Sequence, residues 1–412
     1  MRLAIEESRL ARELDLLGAI SAEPSPVVTR VVFSEADLQA RQFVKDLCRE
    51  AGLSVREDAV GNTFARWMGS EPELAAVGTG SHIDAIPNAG RFDGTVGVLG
   101  GLEAIRALKR SGFEPRRSIE LLTFTSEEPT RFGIGCLGSR MLSATLAASA
   151  GATLRDTDGL LLDQVRLAAG FTGELATVAL PNNYYSAFLE LHIEQGPLLE
   201  ESETDLGIVT AIAAPATFRM EIEGEGGHAG AVLMPNRRDA FLAAAEIALA
   251  VESAAKSSGA VDTVATTGVC DIFPRAVNSI PSRARMEIDV RDIDGARRDA
   301  VLDRIYQAAD QIATRRGVTL QKQILNADPP AQCAPAVINA LQLACQKHGA
   351  TYRLMISRAY HDSLFMSQIV PTGMLFIPCR GGVSHRPDEY SSPSAIAQGA
   401  LVLAEAMRQL AS

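Results

Sequence analysis

Along most of this chain short, wholly apolar runs alternate with helical stripes, and over one internal stretch that rhythm gives way to strict two-residue alternation. Residues 75–77 lead into Gly78-Thr79-Gly80-Ser81-His82, and 94–110 then carry Val98, Leu99, Leu102, Ile105 and Leu108 on one helical stripe, closed by Gly112. Apolar runs at 119–125, 187–193 and 374–378 read as buried strands. Strands alternating with helices predict an α/β sheet with helices on both faces. From about 208 to 326 the order reads strand, strand, helix, strand, strand, helix, strand. There Phe218, Met220 and Ile222 alternate with Arg219, Glu221 and Glu223, and Ala284, Met286, Ile288 and Val290 alternate with Arg285, Glu287 and Asp289. That is the period of a half-exposed strand. With amphipathic helices at 239–253 and 296–316, this stretch predicts an α+β sandwich inserted into the α/β domain. The expected boundaries are 1–209 and 327–412 for the two parts of the catalytic domain and 210–326 for the insert.

Bulk properties narrow the partners. The length of 412 residues suggests about two to three domains. The charge of 39 − 50 = −11 argues against nucleic acid, which is held by Lys and Arg on phosphates. A small anionic substrate stays admissible, because a pocket can be locally positive. Six scattered cysteines, Cys48, Cys136, Cys270, Cys333, Cys345 and Cys379, form no CxxC pair and are expected to be reduced. Residues 1–20 mix Glu and Arg with apolar positions, as an amphipathic helix does and a secretion signal does not. No apolar run reaches about 18 residues, so no membrane span is expected. The cytoplasm is the simplest placement.

Of six histidines, His82, His192 and His385 fall at or just after the ends of expected strands, where ligands bind in open α/β sheets. Asp93 follows His82 within Gly90-Arg91-Phe92-Asp93-Gly94. Glu127-Glu128 closes the 119–125 strand. Three histidines and several carboxylates thus converge from separate strand ends. This set suits two divalent ions with one carboxylate bridging them, and paired glutamates let one bind metal while its neighbour acts as general base. Nitrogen and oxygen donors without sulfur fit Mn²⁺, Zn²⁺ or similar ions and do not choose among them. Singly, a histidine after a strand is more often a core residue, and an acidic pair more often solvated surface; their shared placement at strand ends is what raises the site reading. Gly133-Ile134-Gly135-Cys136-Leu137-Gly138 has G-x-G-x-x-G spacing, but charged residues and Pro129 separate it from the preceding strand, so it is not read as a dinucleotide fingerprint.

The segments Gly80-Ser81-His82-Ile83-Asp84, Gly90-Arg91-Phe92-Asp93-Gly94, Leu191-His192-Ile193-Glu194-Gln195-Gly196 and His228-Ala229-Gly230, followed by Arg237-Arg238-Asp239-Ala240, resemble the hydantoinase/carbamoylase amidohydrolases, a metallopeptidase-like family whose members cleave allantoate, N-carbamoyl-L-amino acids or ureidoglycolate. The resemblance covers nearly the whole chain. It implies a metallopeptidase-like catalytic domain with a ferredoxin-like inserted domain that serves as dimerisation module and lid, hence a homodimer. It implies that Asp93 bridges two divalent ions, Mn²⁺ expected ahead of Zn²⁺, with His82 and His192 completing one site and Glu128 and His385 the other. Glu127 is the implied general base. His228 would reach the partner subunit's site and stabilise the oxyanion. Asn278 and Arg291 would bind the substrate carboxylate, and Gln195, Tyr360 and His361 would line the ureido and hydroxyl end.

Residues 355–366 and 376–392 are similar to the branch of the family that acts on ureidoglycolate. Siblings carry Gly where this chain has Tyr360, and Thr-Thr-Pro-Met where it has Ala231-Val232-Leu233-Met234. A tyrosine there would fill the space of allantoate's second ureido group and offer a phenol to a hydroxyl. The expected substrate is therefore a small anionic ureido compound, ureidoglycolate ahead of allantoate or an N-carbamoyl amino acid, in the breakdown of allantoin and purines. A metallopeptidase, or a silent ligand-binding protein, shares parts of the pattern, but Glu127 beside a complete ligand set argues against silence.

Overall fold

The computed structural model describes residues 3–412, and these divide into two compact units. One comprises 3–210, 332–357 and 361–412; the other comprises 211–331 and the short segment 358–360.

The larger unit is built on a nine-stranded mixed sheet. Its centre is four parallel strands in the order Thr372–Ile377, Tyr185–Ile193, Ala76–His82, Ile119–Phe124. Three of these, Thr372–Ile377, Ala76–His82 and Ile119–Phe124, are buried at every position, the pattern of a sheet covered on both faces. Because successive side chains point to opposite faces, Ile119 and Leu121 enter one core with Leu189, Leu191 and Leu375, while Leu122 and Phe124 enter another with Phe188. Helices Thr95–Arg110 and Pro393–Leu410 pack on the first face, and Leu137–Leu142 and Leu162–Ala168 on the second. Helix Thr95–Arg110 starts from Gly94 without a side-chain cap and ends on Lys109 and Arg110, cations placed favourably at the negative end of the helix dipole.

The smaller unit is an α+β sandwich. Its four-stranded antiparallel sheet runs Val264–Phe273, Arg283–Asp292, Ala214–Glu223, Thr319–Ala327. Helices Ala240–Lys256 and Gly295–Arg316 cover the face formed by Phe218, Met220, Ile222, Ala284, Met286, Ile288 and Val290. The opposite face is polar, with Arg219 bonded to Glu287 across the register at 2.7 Å and Arg285 to the same carboxylate at 2.6 Å. One element departs from expectation. The first strand assigned to the insert, Leu206–Ile212, pairs instead with Thr372–Ile377 in the large sheet. Its run of Ile208, Val209, Ala211 and Ile212 is buried without alternation, which suits a two-sided sheet and not a one-faced one.

The segment 358–360 interrupts the larger unit to join the smaller one. Arg358 pairs with Asp262 at 2.6 Å, its carbonyl accepts from Arg291 at 3.3 Å, and the Tyr360 hydroxyl donates to Asp328. Among the described residues no helix is long and apolar enough to cross a membrane.

Candidate metal centre

Parallel pairing sets the C-terminal ends of the central strands side by side. His82 closes Ala76–His82 and lies in register with Phe124; His192, one residue from the end of Tyr185–Ile193, lies beside Phe376. The loop after Ile119–Phe124 carries Glu127 and Glu128, the loop after Thr372–Ile377 carries His385, and the loop before helix Thr95–Arg110 carries Asp93. These six side chains meet. Asp93 Oδ1 faces His192 Nε2 at 3.2 Å and His82 Nε2 at 3.7 Å; Asp93 Oδ2 faces His385 Nε2 at 3.3 Å, and His385 Nε2 is also 3.3 Å from Glu128 Oε1. His82, Asp93 and His192 form one set with metal-ligand spacing, and Asp93, Glu128 and His385 form a second. The two sets share the Asp93 carboxylate. Glu127 Oε2 stands 3.8 Å from His82 Nε2.

A second layer fixes these groups, and sequence reading assigned it no role. His82 Nδ1 bonds the Asp84 carbonyl at 3.0 Å and His192 Nδ1 the Ile193 carbonyl at 2.9 Å, which leaves both Nε2 atoms turned to Asp93. The Asp84 carboxylate accepts from the backbone N–H groups of Glu127 (3.2 Å) and Glu128 (3.1 Å). Glu389 accepts from the N–H groups of Phe92 (2.8 Å) and Asp93 (3.1 Å) and from Ser384 Oγ (3.0 Å). Gly94 has φ +66°, and a Cβ there would lie 2.5 Å from the His82 ring, so only glycine lets the helix start against that ligand. The glycine run at 133–138 also has a task here. The N–H groups of Cys136, Leu137 and Gly138 donate to the carbonyls of Glu127, Ser126 and Thr125 at 2.7–2.9 Å. They brace the loop that carries the glutamate pair, which leaves those amides spent.

The electrostatics are those of a carboxylate cluster that recruits positive charge. Burial opposes a charged His82, yet Glu127, Asp93 and Asp84 outweigh it and hold the imidazolium well above 6.5. His385, bonded to Asp93 and Glu128, rises to about 10. Burial pushes Asp93 up, but its bonds to His192, His385 and His82 carry it well below the carboxylate range. Burial, with Glu128, Asp362 and Asp84 around it, pushes Glu127 well above that range despite His82. Nitrogen and oxygen donors in two sets sharing a carboxylate, in a field that favours positive charge, fit divalent metal. Cys136 Sγ donates to Glu127 Oε1 at 3.4 Å. Burial and the Glu127 charge push its thiol well up, so it stays a donor rather than a thiolate ligand.

The remaining expected site residues fall into both units. In the larger, Gln195 Nε2 donates to Asp93 Oδ2 at 2.8 Å, while its buried Oε1 has no partner. His361 is buried, its ring edge-on to His192 at 4.6 Å and its Nε2 2.9 Å from Ser357 Oγ. Burial and His192 hold it well below 6.5, a neutral ring. In the smaller unit, His228 and Asn278 are exposed and neighbouring: Gly227–His228 pairs with Ser279–Ile280, and Ala229 N–H donates to the Asn278 carbonyl at 2.9 Å. Arg291 is half-exposed and bonds Asp289 at 2.8 Å. Tyr360, held on Asp328, also accepts from Asn326 at 3.4 Å.

A fold of this kind, with two histidine–carboxylate sets at the strand ends, agrees with the family model that matches residues 78–409, described as Peptidase family M20/M25/M40. The chain belongs to that family and to its hydantoinase/carbamoylase amidases: it is similar to the solved amidase of that family from Burkholderia multivorans, at 33% identity and a TM-score of 0.89 over 99% of this chain and 98% of that one. More particularly, it is 54% identical to a ureidoglycolate hydrolase of Oryza sativa subsp. japonica over 412 residues, 98% of this chain and 85% of that protein. It is 51% identical to AtUAH, solved in complex with glyoxylate and with (S)-hydroxyglycine, at a TM-score of 0.89 over 99% of this chain and 98% of that one.

Proposed function

We propose that this protein is an amidohydrolase that converts (S)-ureidoglycolate to glyoxylate, ammonia and CO₂, using two divalent ions held on either side of Asp93. The observation that carries the chemistry is the sharing of one carboxylate by two candidate ligand sets, with Glu127, which belongs to neither set, beside them. Divalent ions bound there would supply a water of lowered pKa and polarise the ureido carbonyl. His82 and His192 would hold one ion, Glu128 and His385 the other. Glu127 takes the proton of the attacking water and hands it to the departing ammonia. Water oxygen becomes bonded to the ureido carbon, the C–NH₂ bond breaks, and the carbamate so formed loses CO₂. The hydroxyglycine that remains decomposes to glyoxylate and a second ammonia. Kinship to AtUAH, which binds both of those compounds, supports this substrate over allantoate and N-carbamoyl amino acids.

Gln195 Oε1, a buried acceptor without a partner, suits a ureido N–H. Asn278 and Arg291 take the substrate carboxylate, Arg291 through its planar fork. His361 and Tyr360 close the hydroxyl end, and His228 donates to the oxyanion in the partner subunit's site. The inserted unit acts as dimerisation module and lid. Its helix Ala240–Lys256 leaves Phe241, Leu242 and Leu249 exposed, and its edge strand Val264–Phe273 leaves Val264 and Val269 exposed. Such an apolar patch on an unpaired edge supports burial against a second copy. The nitrogen–oxygen donor set admits Mn²⁺ and Zn²⁺ alike, and the order Mn²⁺ before Zn²⁺ rests on the family resemblance. Free thiols at all six cysteines support a reducing cytoplasmic setting.

The test is an ammonia and glyoxylate assay on protein stripped and reloaded with Mn²⁺ or Zn²⁺, offered ureidoglycolate, allantoate and N-carbamoyl amino acids in parallel, with spontaneous decay subtracted. Metal-dependent turnover of ureidoglycolate alone is expected. Turnover confined to another ureido compound would overturn the substrate and keep the chemistry.

A further inference from the structure

The loop that carries His228 is exposed and poorly anchored by apolar contacts. Leu233 and Met234 are 70% and 66% exposed. Its geometry is nevertheless specific. The N–H groups of Ala231 and Val232 turn back onto the His228 carbonyl at 3.0 and 3.2 Å. Arg237 then clamps both ends of the turn, Nε donating to the Val232 carbonyl at 3.0 Å and Nη2 to the Ala229 carbonyl at 2.5 Å. Within the turn, Gly230 N–H donates to His228 Nδ1 at 3.1 Å. A backbone N–H can only donate, so Nδ1 is the lone-pair nitrogen and the neutral ring carries its proton on Nε2.

We infer that Arg237 is the positioning residue for His228: its guanidinium fork holds the 228–232 turn closed, and the closed turn presents the ring with Nε2–H outward as a donor. An oxyanion needs a donor already aimed at it, and a ring free to adopt the other tautomer or to swing with a loose loop forfeits that. Lysine at this position offers a point charge in place of a planar fork and holds one carbonyl at a time. The inference rests on the oxyanion role proposed for His228.

The experiment compares His228→Asn, Arg237→Gln, Arg237→Lys and the double variant His228→Asn/Arg237→Gln, as metal-loaded enzyme with ureidoglycolate, together with ¹⁵N spectra of the His228 ring. Loss of the His228 donor is expected to lower kcat about 100- to 1000-fold, and Arg237→Gln about 10- to 100-fold with KM within about twofold. Arg237→Lys falls between Arg237→Gln and the parent, which keeps the comparison available if the glutamine variant does not fold. On the His228→Asn background the Arg237 change should cost less than about twofold more, because residues acting as a unit are not additive. The neutral form of the ring should show its proton on Nε2 in the parent spectrum, and Arg237→Gln a mixture of tautomers. Unchanged kcat in both Arg237 variants beside an impaired His228→Asn, or losses that multiply independently, overturns the inference. If His228→Asn keeps full activity, the oxyanion role fails instead, and the spectra still decide whether Arg237 sets the ring.

Discussion

The two ligand sets that share Asp93 use similar donors and are built differently. On the inner side His82 and His192 are buried, finish strands of the central sheet, and are pinned through Nδ1 to backbone carbonyls. On the outer side His385 sits in a loop at φ 58°, its side chain 47% exposed, its Nε2 turned to Asp93 and Glu128. The inner set is preorganised by the sheet itself; the outer set is assembled from loops. One shared carboxylate thus joins a rigid candidate half-site to an adjustable one, and only the second lies where solvent has access.

The largest effect is expected from removing Glu127, the proposed base, and leaving both halves intact. Glu127→Gln should lower kcat by about 10²- to 10⁴-fold while metal analysis still finds both ions; loss of an ion along with activity would place Glu127 among the ligands. Next comes Asp84, whose carboxylate clamps the Glu127 and Glu128 amides, while its backbone carbonyl, which pins the His82 ring, is untouched by a side-chain change. Asn in its place exchanges one accepting oxygen for an N–H donor, so metal affinity or activity should fall about 10- to 100-fold. A variant that titrates with metal like the parent would show that the sheet alone suffices. The comparison itself is broken or sharpened by chelation. Stripping should release metal in two phases, the outer ion first, and His385→Ala should abolish only the fast phase. A single phase would mean that the halves exchange as one.

The smallest effect lies away from both halves and serves as a control. Glu405 in the last helix is bonded by Arg408 at 2.6 Å and Lys347 at 2.8 Å. Although burial raises its pKa, those cations bring it down to about 2. A depressed carboxylate stabilises the fold above its ordinary pKa of about 4.5, and that contribution is lost as pH falls through about 2. Glu405→Gln should therefore melt below the parent at neutral pH and converge with it near pH 2, with unchanged turnover. A gap that persisted in acid would assign the loss to packing.

The convergence of these side chains was legible in the sequence because the candidate ligands occupy places that topology repeats. His82, His192, Glu127 and Glu128, and His385 each follow an apolar run, and parallel strands bring such ends together. The rest depends on contacts that no local pattern encodes. Glu389 supports the Asp93 loop from 296 residues away, and Asp84, though quoted within a motif, earns its place by reaching the amides of residues 127 and 128. The Leu206–Ile212 strand was given to the wrong sheet because a short apolar run does not announce its partner; only its lack of alternation told against the insert. The use of the 136–138 amides as a brace for the glutamate loop is invisible in the G-x-G-x-x-G spacing, because it depends on the carbonyls they meet.

The three residues 358–360 bear on how separable the halves of this molecule are. A module that enters at 211 and leaves at 331 would seem exchangeable as one cassette. Yet part of it is encoded downstream, since Asp262, Asp328 and Arg291 are satisfied by residues that arrive only after the chain has returned to the larger unit. Recombination between relatives, or a designed graft, that moved 211–331 alone would remove those contacts. The inheritable piece is discontinuous: the insert together with a tripeptide that fits it.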